Sequence, residues 1–194
     1  MLVNFLRSLH RGWHSALSFF RLLIPRCLGL RTGAGVRVGR GVSWPLGNLR
    51  NIQLGNNVNL GKNGWFYLPL HNRTARIEIG DGTAIGDNFT ISSNELIRIG
   101  KNCLMSYRIS ILDHDHITGI GVNPVTSGVT KGEPVEIGDN TFVGTGAVIM
   151  RGAKIGKNCV INANSVVMRN FEDNCLISGS PAKIMMMLSP PEAK

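Results

Sequence analysis

Acidic residues are missing from the first part of this 194-residue chain, since the first one is Glu78. Residues 1–77 contain 11 lysines and arginines and no aspartate or glutamate, whereas residues 78–194 contain 10 basic and 12 acidic residues. The formal net charge of +9 is therefore concentrated in the N-terminal part. This asymmetry predicts an anionic partner for that part, either a membrane surface or a phosphate-bearing substrate. We do not expect nucleic acid, because no nucleic-acid-binding motif is present.

Closely spaced cysteines are also lacking. The four cysteines form no Cys-x-x-Cys pair and no zinc-type spacing: Cys27, Cys103, Cys159 and Cys175. This excludes a thiol-redox motif and predicts reduced, structural thiols of a cytoplasmic protein.

Long apolar runs are missing too, so we expect no membrane-spanning helix, which needs ~20 such residues. Residues 1–30 instead predict a basic amphipathic helix that ends at Pro25. Its apolar face comprises Leu2, Phe5, Leu6, Leu9, Trp13, Leu17, Phe20, Leu23 and Ile24. Its polar face comprises Arg7, Arg11, His14, Ser18 and Arg21. A signal peptide is not expected, because Arg21 interrupts the apolar residues. The helix either lies at a membrane interface or packs against its own protein or a neighbouring subunit.

A six-residue repeat dominates the rest of the chain. Between Val135 and Val167 an aliphatic residue recurs at Ile137, Val143, Ile149, Ile155, Ile161 and Val167. Neither the 3.6-residue period of a helix nor the two-residue period of a flat strand fits this spacing. Three six-residue sides predict an 18-residue triangular coil, and successive coils predict a parallel β-helix.

Earlier repeats extend this pattern over residues 34–188, which predicts about six coils. They include Ile79, Ile85, Ile91, Ile99, Met105 and Ile111. Asparagines at the corners tolerate the left-handed backbone conformation that a tight corner needs. They are Asn57, Asn88, Asn102, Asn140 and Asn158.

Two segments depart from the repeat. Residues 117–134 are rich in glycine and polar residues and predict an extruded loop, which in a compact repeat protein is usually functional. Residues 170–194 are expected to form a C-terminal cap over the open end of the shaft.

The loop begins beside the sequence Asp113-His114-Asp115-His116. A histidine there is the best candidate for a general base, because its pKa lies near neutral pH. His114 is the first choice and His116, on the same face of an extended chain, is the competitor, while Asp113 or Asp115 could orient the ring. A His-x-His pair can also bind zinc, but only His71 remains as a third histidine within the repeats, so no metal is expected.

These repeats resemble those of the hexapeptide-repeat acyltransferases, in particular the galactoside and maltose O-acetyltransferases, whose units read [Leu/Ile/Val]-Gly-x-x-x-x. The resemblance implies a left-handed coil, a homotrimer with active sites between subunits, acetyl-coenzyme A as co-substrate and a saccharide acceptor. It assigns His114 as the base that deprotonates an acceptor hydroxyl, with Asp113 and His116 beside it. Asn94 and Asp115 are expected to contact the acceptor.

Three motifs resemble those by which this family binds coenzyme A. Phe142-Val143-Gly144 occupies the position where the family often has Trp-Ile-Gly. Asn162-Ala163-Asn164-Ser165 occupies the position where the family has Gly-Ala-Gly-Ser. Gly179-Ser180-Pro181-Ala182-Lys183 matches Gly-x-Pro-Ala-Lys. The resemblance implies that Phe142, Gly144 and Ala163 line the groove and that Arg169 and Lys183 bind phosphates. Met185, Met186 and Met187 depart from the family pattern, in which basic residues are common at these positions.

The expected function is acetyl-coenzyme A dependent O-acetylation of a sugar in a surface polysaccharide or its precursor. An N-acetyltransferase of an amino sugar and a non-catalytic β-helix scaffold are the alternatives. The expected location is the cytoplasm, with peripheral contact of residues 1–30 to the inner face of the cell membrane.

Overall fold

The computed structural model describes residues 17–190, and within them the chain folds as a parallel β-solenoid. Its strands are short because the chain turns a corner after each repeat. In chain order they are β1 (Arg31–Thr32), β2 (Arg37–Val38), β3 (Ile52–Leu54), β4 (Asn59–Leu60), β5 (Trp65–Tyr67), β6 (Arg76–Ile79), β7 (Ala84–Ile85), β8 (Thr90–Ser92), β9 (Leu96–Ile99), β10 (Leu104–Met105), β11 (Ser110–Leu112), β12 (Val135–Ile137), β13 (Phe142–Val143), β14 (Val148–Ile149), β15 (Lys154–Ile155), β16 (Val160–Ile161), β17 (Val166–Val167), β18 (Cys175–Gly179) and β19 (Ala182–Met187). A 3-10 helix, Leu49–Asn51, precedes β3.

Three sheets form the sides of the solenoid. Sheet A has the order β1-β3-β6-β9-β12-β15, sheet B the order β2-β4-β7-β10-β13-β16-β18-β19, and sheet C the order β5-β8-β11-β14-β17. Successive coils supply neighbouring strands, so the prediction of about six coils is confirmed. Pairing is parallel except between β18 and β19, which are antiparallel. The left-handed sense of the coil stays a prediction.

The core is a continuous shaft of stacked aliphatic and aromatic side chains. On sheet C the buried, stacked residues are Phe66, Ile91, Ile111, Ile149 and Val167. Near the N-terminal end, the ring of Phe66 lies 4.9 Å from that of Trp44 and 5.2 Å from that of Phe89, measured between centroids. The repeat therefore buries one large apolar side chain per side of each coil, which is what holds the coils together.

The corners use asparagine as predicted. All five of the asparagines expected there have positive φ, as have Asn63, Asn164 and Asn174. Aspartates stabilise the same corners across coils: Asp81 Oδ1 accepts a hydrogen bond from the backbone N–H of Asn56 at 2.7 Å, and Asp139 Oδ1 accepts one from Lys101 at 2.8 Å. Each satisfies a backbone donor that a tight turn would leave unpaired.

The cysteines are free thiols within this framework. Cys103, Cys159 and Cys175 are buried in the shaft and Cys27 is exposed. Burial raises the pKa of Cys103 and of Cys159, which keeps both thiols protonated.

A helix of residues 17–27, here α1, packs on the first coil. The prediction that Pro25 ends it is wrong, because the helix continues to residue 27. The carbonyl of Pro25 still accepts a hydrogen bond, from the N–H of Leu30 at 2.9 Å. Pro25 therefore removes one N–H donor from the last turn but does not end the helix. The predicted helical positions in residues 1–16 lie outside the described residues, and no helix within residues 17–190 is long and apolar enough to cross a membrane.

At the other end, β19 turns back along β18 and extends sheet B. Ala182 is buried, whereas Met185, Met186 and Met187 are exposed. Residues 191–194 of the predicted cap lie outside the described residues.

Candidate active site

A buried carboxylate marks the corner where β11 ends and the long loop begins. The Asp113 side chain is fully buried, and its Oδ1 lies 2.8 Å from Nδ1 of His114. It also accepts hydrogen bonds from the Ser93 hydroxyl at 2.7 Å and from the backbone N–H groups of Asn94 at 2.6 Å and Glu95 at 2.8 Å. Burial acts to raise the pKa of Asp113, but hydrogen bonds from His114, Ser93, Asn94 and Glu95 outweigh it and leave this pKa below its ordinary value. Asp113 is therefore a carboxylate at neutral pH.

This carboxylate fixes the state of His114. A carboxylate can only accept, so in the neutral ring of His114 the proton lies on Nδ1 and the lone pair on Nε2. The His114 side chain is 9% exposed, which leaves it little rotational freedom. Of the two aspartates that the sequence proposed for orienting the ring, Asp113 contacts His114, whereas Asp115 pairs with Arg151.

The two ends of the loop are joined at its root. The N–H of Glu133 donates to the carbonyl of Asp113 at 2.8 Å, and the N–H of Thr130 donates to the carbonyl of Asp115 at 2.8 Å. Arg151, on the next coil, lies 2.9 Å from Oδ2 of Asp115 and 2.8 Å from Oε1 of Glu133. One guanidinium therefore bridges both sides of the loop root, and Asp115 faces Arg151.

Sequence reasoning missed Ser93 and Arg151. The strand register contained a signal for Arg151, because Ile111 pairs with Ile149 in adjacent coils. Two residues further along each coil, Asp113 and Arg151 occupy equivalent positions. The same signal existed for Ser93: Ile91 pairs with Ile111, so Ser93 occupies the position equivalent to Asp113 on the preceding coil, and its hydroxyl reaches Asp113.

Asn94 and His116 occupy different surroundings. The Asn94 side chain donates to the carbonyl of Thr130 at 3.0 Å and accepts from Nδ2 of Asn72 at 3.0 Å, so its amide is engaged within the protein. His116 is exposed and forms an isolated backbone bridge with Val129 across the loop. The structure brings Asp113, His114 and Asn94 together at one corner, with His116 further out on the loop.

A groove runs along the outer surface of sheet B beside Phe142. It has a volume of about 290 Å³, and Leu104, Tyr107 and Phe142 are among the residues that line it. Leu104 and Phe142 pair in adjacent strands, and both are partly exposed. An apolar wall of this kind suits an extended, weakly polar ligand.

Gly144 and Ala163 meet across adjacent coils at the corner between sheets B and C. A Cβ atom on Gly144 would lie 2.5 Å from the backbone nitrogen of Ala163, so only glycine allows this approach. Arg169 donates to the carbonyl of Ala182 at 3.1 Å, next to Lys183, whose side chain is exposed. The structure therefore brings Gly144 near Ala163 and Arg169 near Lys183, with the Arg169 guanidinium partly engaged by the backbone.

The histidine and the groove residues lie at different corners of one chain. His114 follows β11 of sheet C and precedes β12 of sheet A, whereas Gly144 lies between β13 of sheet B and β14 of sheet C. The width of sheet C separates the two. A single chain does not bring the predicted base and the predicted groove together.

Within residues 17–190 no group of three or more histidine, cysteine, aspartate or glutamate side chains is arranged to hold a metal ion.

Comparison with known proteins supports the repeat architecture. The family model described as Bacterial transferase hexapeptide (six repeats) matches residues 134–169. Over these residues the chain is similar to that transferase family. This hexapeptide-repeat protein is 30% identical over 132 residues to the galactoside O-acetyltransferase of Escherichia coli, a match covering 65% of this chain and 62% of that protein.

A second relative is named for polysaccharide chemistry. The chain is 30% identical over 116 residues to the Escherichia coli protein named "Putative lipopolysaccharide biosynthesis O-acetyl transferase WbbJ", covering 56% of this chain and 59% of WbbJ. The hexapeptide-repeat protein therefore spans about three fifths of the length of these relatives.

Among solved structures, the fold is similar to that of AntD, an N-acyltransferase from Bacillus cereus crystallised with dTDP and coenzyme A. The TM-score is 0.68 at 18% identity, and the match covers 84% of this chain and 88% of AntD. At this identity the likeness shows the shared fold.

Proposed function

We propose that this hexapeptide-repeat protein is an acetyl-coenzyme A dependent O-acetyltransferase that acts on a hydroxyl group of a sugar. The buried Asp113 carboxylate, 2.8 Å from the nearly buried ring of His114, is the observation that carries this proposal. The names of its two relatives, a galactoside O-acetyltransferase and WbbJ, support sugar O-acetylation and a surface polysaccharide or its precursor as the acceptor.

In the proposed reaction His114 acts as the general base. Its Nε2 atom takes the proton of the acceptor hydroxyl as the oxygen attacks, and the resulting imidazolium then returns a proton to the departing sulfur. Acetyl-coenzyme A supplies the thioester carbonyl that accepts the oxygen. Asp113 stabilises the imidazolium through Nδ1 and holds the ring in one tautomer. Base catalysis of this kind contributes a rate factor of about 10²–10⁴.

The groove residues fit coenzyme A. The glycine at position 144 lets two adjacent coils approach closely at Ala163, and this corner is proposed to line the coenzyme A groove. Phe142 offers an apolar wall for the pantetheine arm, and Lys183 offers an exposed cation for the phosphates. Arg169, partly engaged with Ala182, is proposed to position this end of the groove and to contact a phosphate with its remaining donors.

A homotrimer completes the site in this proposal. His114 and Gly144 lie at different corners of one chain, so His114 of one copy would meet the groove of its neighbour. Asp115, which is 42% exposed, is proposed to contact the acceptor, and His116 is proposed to lie at the entrance of the site. Asn94 is proposed to act by fixing the loop root, because its amide is already engaged.

The proposed setting is the cytoplasm, at the inner face of the cell membrane. An acceptor presented there would be lipid-linked or phosphorylated, which agrees with the absence of acidic residues before Glu78.

Acetyl-coenzyme A binding and product analysis test this proposal. Calorimetry should show binding of acetyl-coenzyme A, and a panel of polysaccharide fragments and amino sugars should yield an alkali-labile ester. A product from the amino sugars that resists alkali would be an amide and would identify an N-acetyltransferase. An amine acceptor also needs less help from a base than a hydroxyl does. No binding of acetyl-coenzyme A would contradict the proposal and favour a scaffold.

A further inference from the structure

Helix α1 (residues 17–27) contacts the first coil through the polar side predicted for it. The Ser18 hydroxyl donates to the carbonyl of Val38 at 3.3 Å and accepts from its N–H at 3.1 Å, and Arg21 Nη1 donates to the same carbonyl at 2.9 Å. Ser18 and Leu22 are both buried in this contact. The helix is therefore attached to the solenoid by Ser18, Arg21 and Leu22.

The apolar side of the same helix points into solvent. Phe19, Phe20, Leu23 and Ile24 are 56%, 68%, 48% and 66% exposed. At 100° per residue, Phe20, Leu23 and Ile24 lie opposite the attached side. A helix on a globular protein ordinarily turns its apolar stripe to the core, so this orientation leaves a contiguous apolar patch without a partner in the described part of the chain.

Exposed arginines accompany this patch on the helix and the first two coils. They are Arg26, Arg31, Arg37, Arg40 and Arg50, and none of them forms an ion pair within residues 17–190. The first acidic residue, Glu78, belongs to β6 of the third coil. Glu78 lines a pocket with Arg31 and Arg50, and Asp87 lines one with Arg37, but the first two coils themselves contain no acidic residue. The helix and these two coils therefore carry a net positive charge.

We propose that this surface docks onto an anionic phospholipid bilayer. The N-terminal pole, defined as Phe19, Phe20, Leu23 and Ile24 with the five exposed arginines, combines the two features of an interfacial membrane helix. The apolar side chains enter the boundary between headgroups and acyl chains, and the arginines contact lipid phosphates.

Charge complementarity favours lipid over a second copy of the chain. Two copies that met through this pole would place ten arginines, five from each, at one interface, and like charges there are unfavourable. An anionic bilayer instead neutralises them. This surface explains the membrane location proposed for the enzyme, and it does not depend on acetyl transfer.

Vesicle co-sedimentation of the full chain tests the apolar part of the pole. The protein should sediment with vesicles of phosphatidylcholine mixed with phosphatidylglycerol, and far less with phosphatidylcholine alone. Replacing Phe20→Ser together with Ile24→Ser should lower the partition coefficient on the order of tenfold or more. Met185→Ser is the matched control, because Met185 is 63% exposed at the opposite end of the solenoid. It should bind like the unchanged protein.

Charge reversal tests the arginines separately. Arg37→Glu with Arg40→Glu should weaken binding to the anionic vesicles on the order of tenfold or more. Lys101→Glu, which removes an exposed cation from a later coil, should have little effect. Circular dichroism would confirm that each variant is folded.

Failure to sediment with anionic vesicles, or equal binding by the Phe20/Ile24 variant, would overturn the proposal. A fall in molecular mass of that variant in sedimentation velocity, with no vesicle binding by the unchanged protein, would show that the pole instead binds a second copy. Either result would leave acetyl-coenzyme A binding unaffected.

Discussion

The Nδ1 atom of His114 lies 2.8 Å from Oδ1 of a fully buried aspartate, Asp113, its immediate neighbour in the chain. Adjacent residues rarely point their side chains at each other in a strand, because alternate side chains face opposite sides. The contact forms here because β11 ends at Leu112 and the chain turns into the loop. The same turn that breaks the repeat therefore builds the acid–base pair.

Replacing Asp113→Asn should lower kcat by about 10²–10⁴ while binding of acetyl-coenzyme A changes little. The amide nitrogen of asparagine can only donate, yet it must face either Nδ1 of His114 or the donor groups of Ser93 and Glu95. The side chain therefore no longer fixes the tautomer of the histidine. Steady-state kinetics and calorimetry would measure the two effects. Asp139→Asn, which changes an aspartate that accepts a backbone N–H from Lys101 at another corner, is the control and should retain most of the turnover. Equal losses in both variants would contradict the orienting role of Asp113.

The same aspartate should make stability depend on pH. The folded-state pKa of Asp113 is below its ordinary value of 3.8, so its charged form stabilises the fold above that value. This contribution is lost as the pH falls through the lowered pKa. In urea unfolding at neutral pH, the Asp113→Asn variant should therefore have a lower free energy of unfolding than the unchanged protein. The difference between these two free energies should become smaller in acid. If this difference became larger in acid, the pKa of Asp113 would be raised in the folded state and the account would be contradicted.

Arg151 should affect catalysis more than stability. Its ion pairs with Asp115 and Glu133 are partly exposed, so Arg151→Met should change the free energy of unfolding by no more than ~1 kcal/mol. Because these pairs join both sides of the loop root, kcat of the Arg151→Met variant should fall several-fold. Added salt screens the same ion pairs, so it should also lower kcat of the unchanged protein. Lys154→Met, which removes an exposed ion pair with Glu136, is the matched control. The same kcat in both variants would rule out a positioning role for Arg151.

Gly144→Ala should disturb the groove between coils. The added Cβ would lie 2.5 Å from the nitrogen of Ala163, which forces the coils apart and should cost about 1–3 kcal/mol of stability. Acetyl-coenzyme A binding should weaken as well. Gly119→Ala provides the comparison, since its Cβ would meet only Val122 at 3.5 Å. Thermal unfolding and calorimetry would measure both, and an unchanged affinity in Gly144→Ala would exclude this cleft as the binding groove.

The repeat itself made most of the fold predictable. Ile111, Ile149 and their equivalents recur with a period that only a coil of three short strands accommodates, and the corner asparagines follow from backbone sterics. The end of α1 was predicted wrongly at Pro25, because a proline in a last turn removes only one donor. The orientation of α1 could not be derived, since a hydrophobic pattern does not say which side of a helix will meet the rest of the protein.

The site was predictable only in part. His114 and Asp113 stood out because they interrupt the repeat, whereas Ser93 and Arg151 are ordinary corner residues until the coils are stacked. Their contacts with Asp113 and Asp115 both join adjacent coils, and the contact of Arg151 with Asp115 also depends on strand register across the 117–134 insertion. Hydrophobic spacing alone does not fix that register at the loop.

The turnover of His114→Ala compared with His116→Ala tests the central claim most directly. Both variants remove one imidazole from the same loop root, but only His114 contacts a buried carboxylate. Thioester consumption with a hydroxyl acceptor should fall by about 10²–10⁴ in His114→Ala, with acetyl-coenzyme A still bound, and should change only a few-fold in His116→Ala. Full turnover in His114→Ala, or the larger loss in His116→Ala, would contradict His114 as the base.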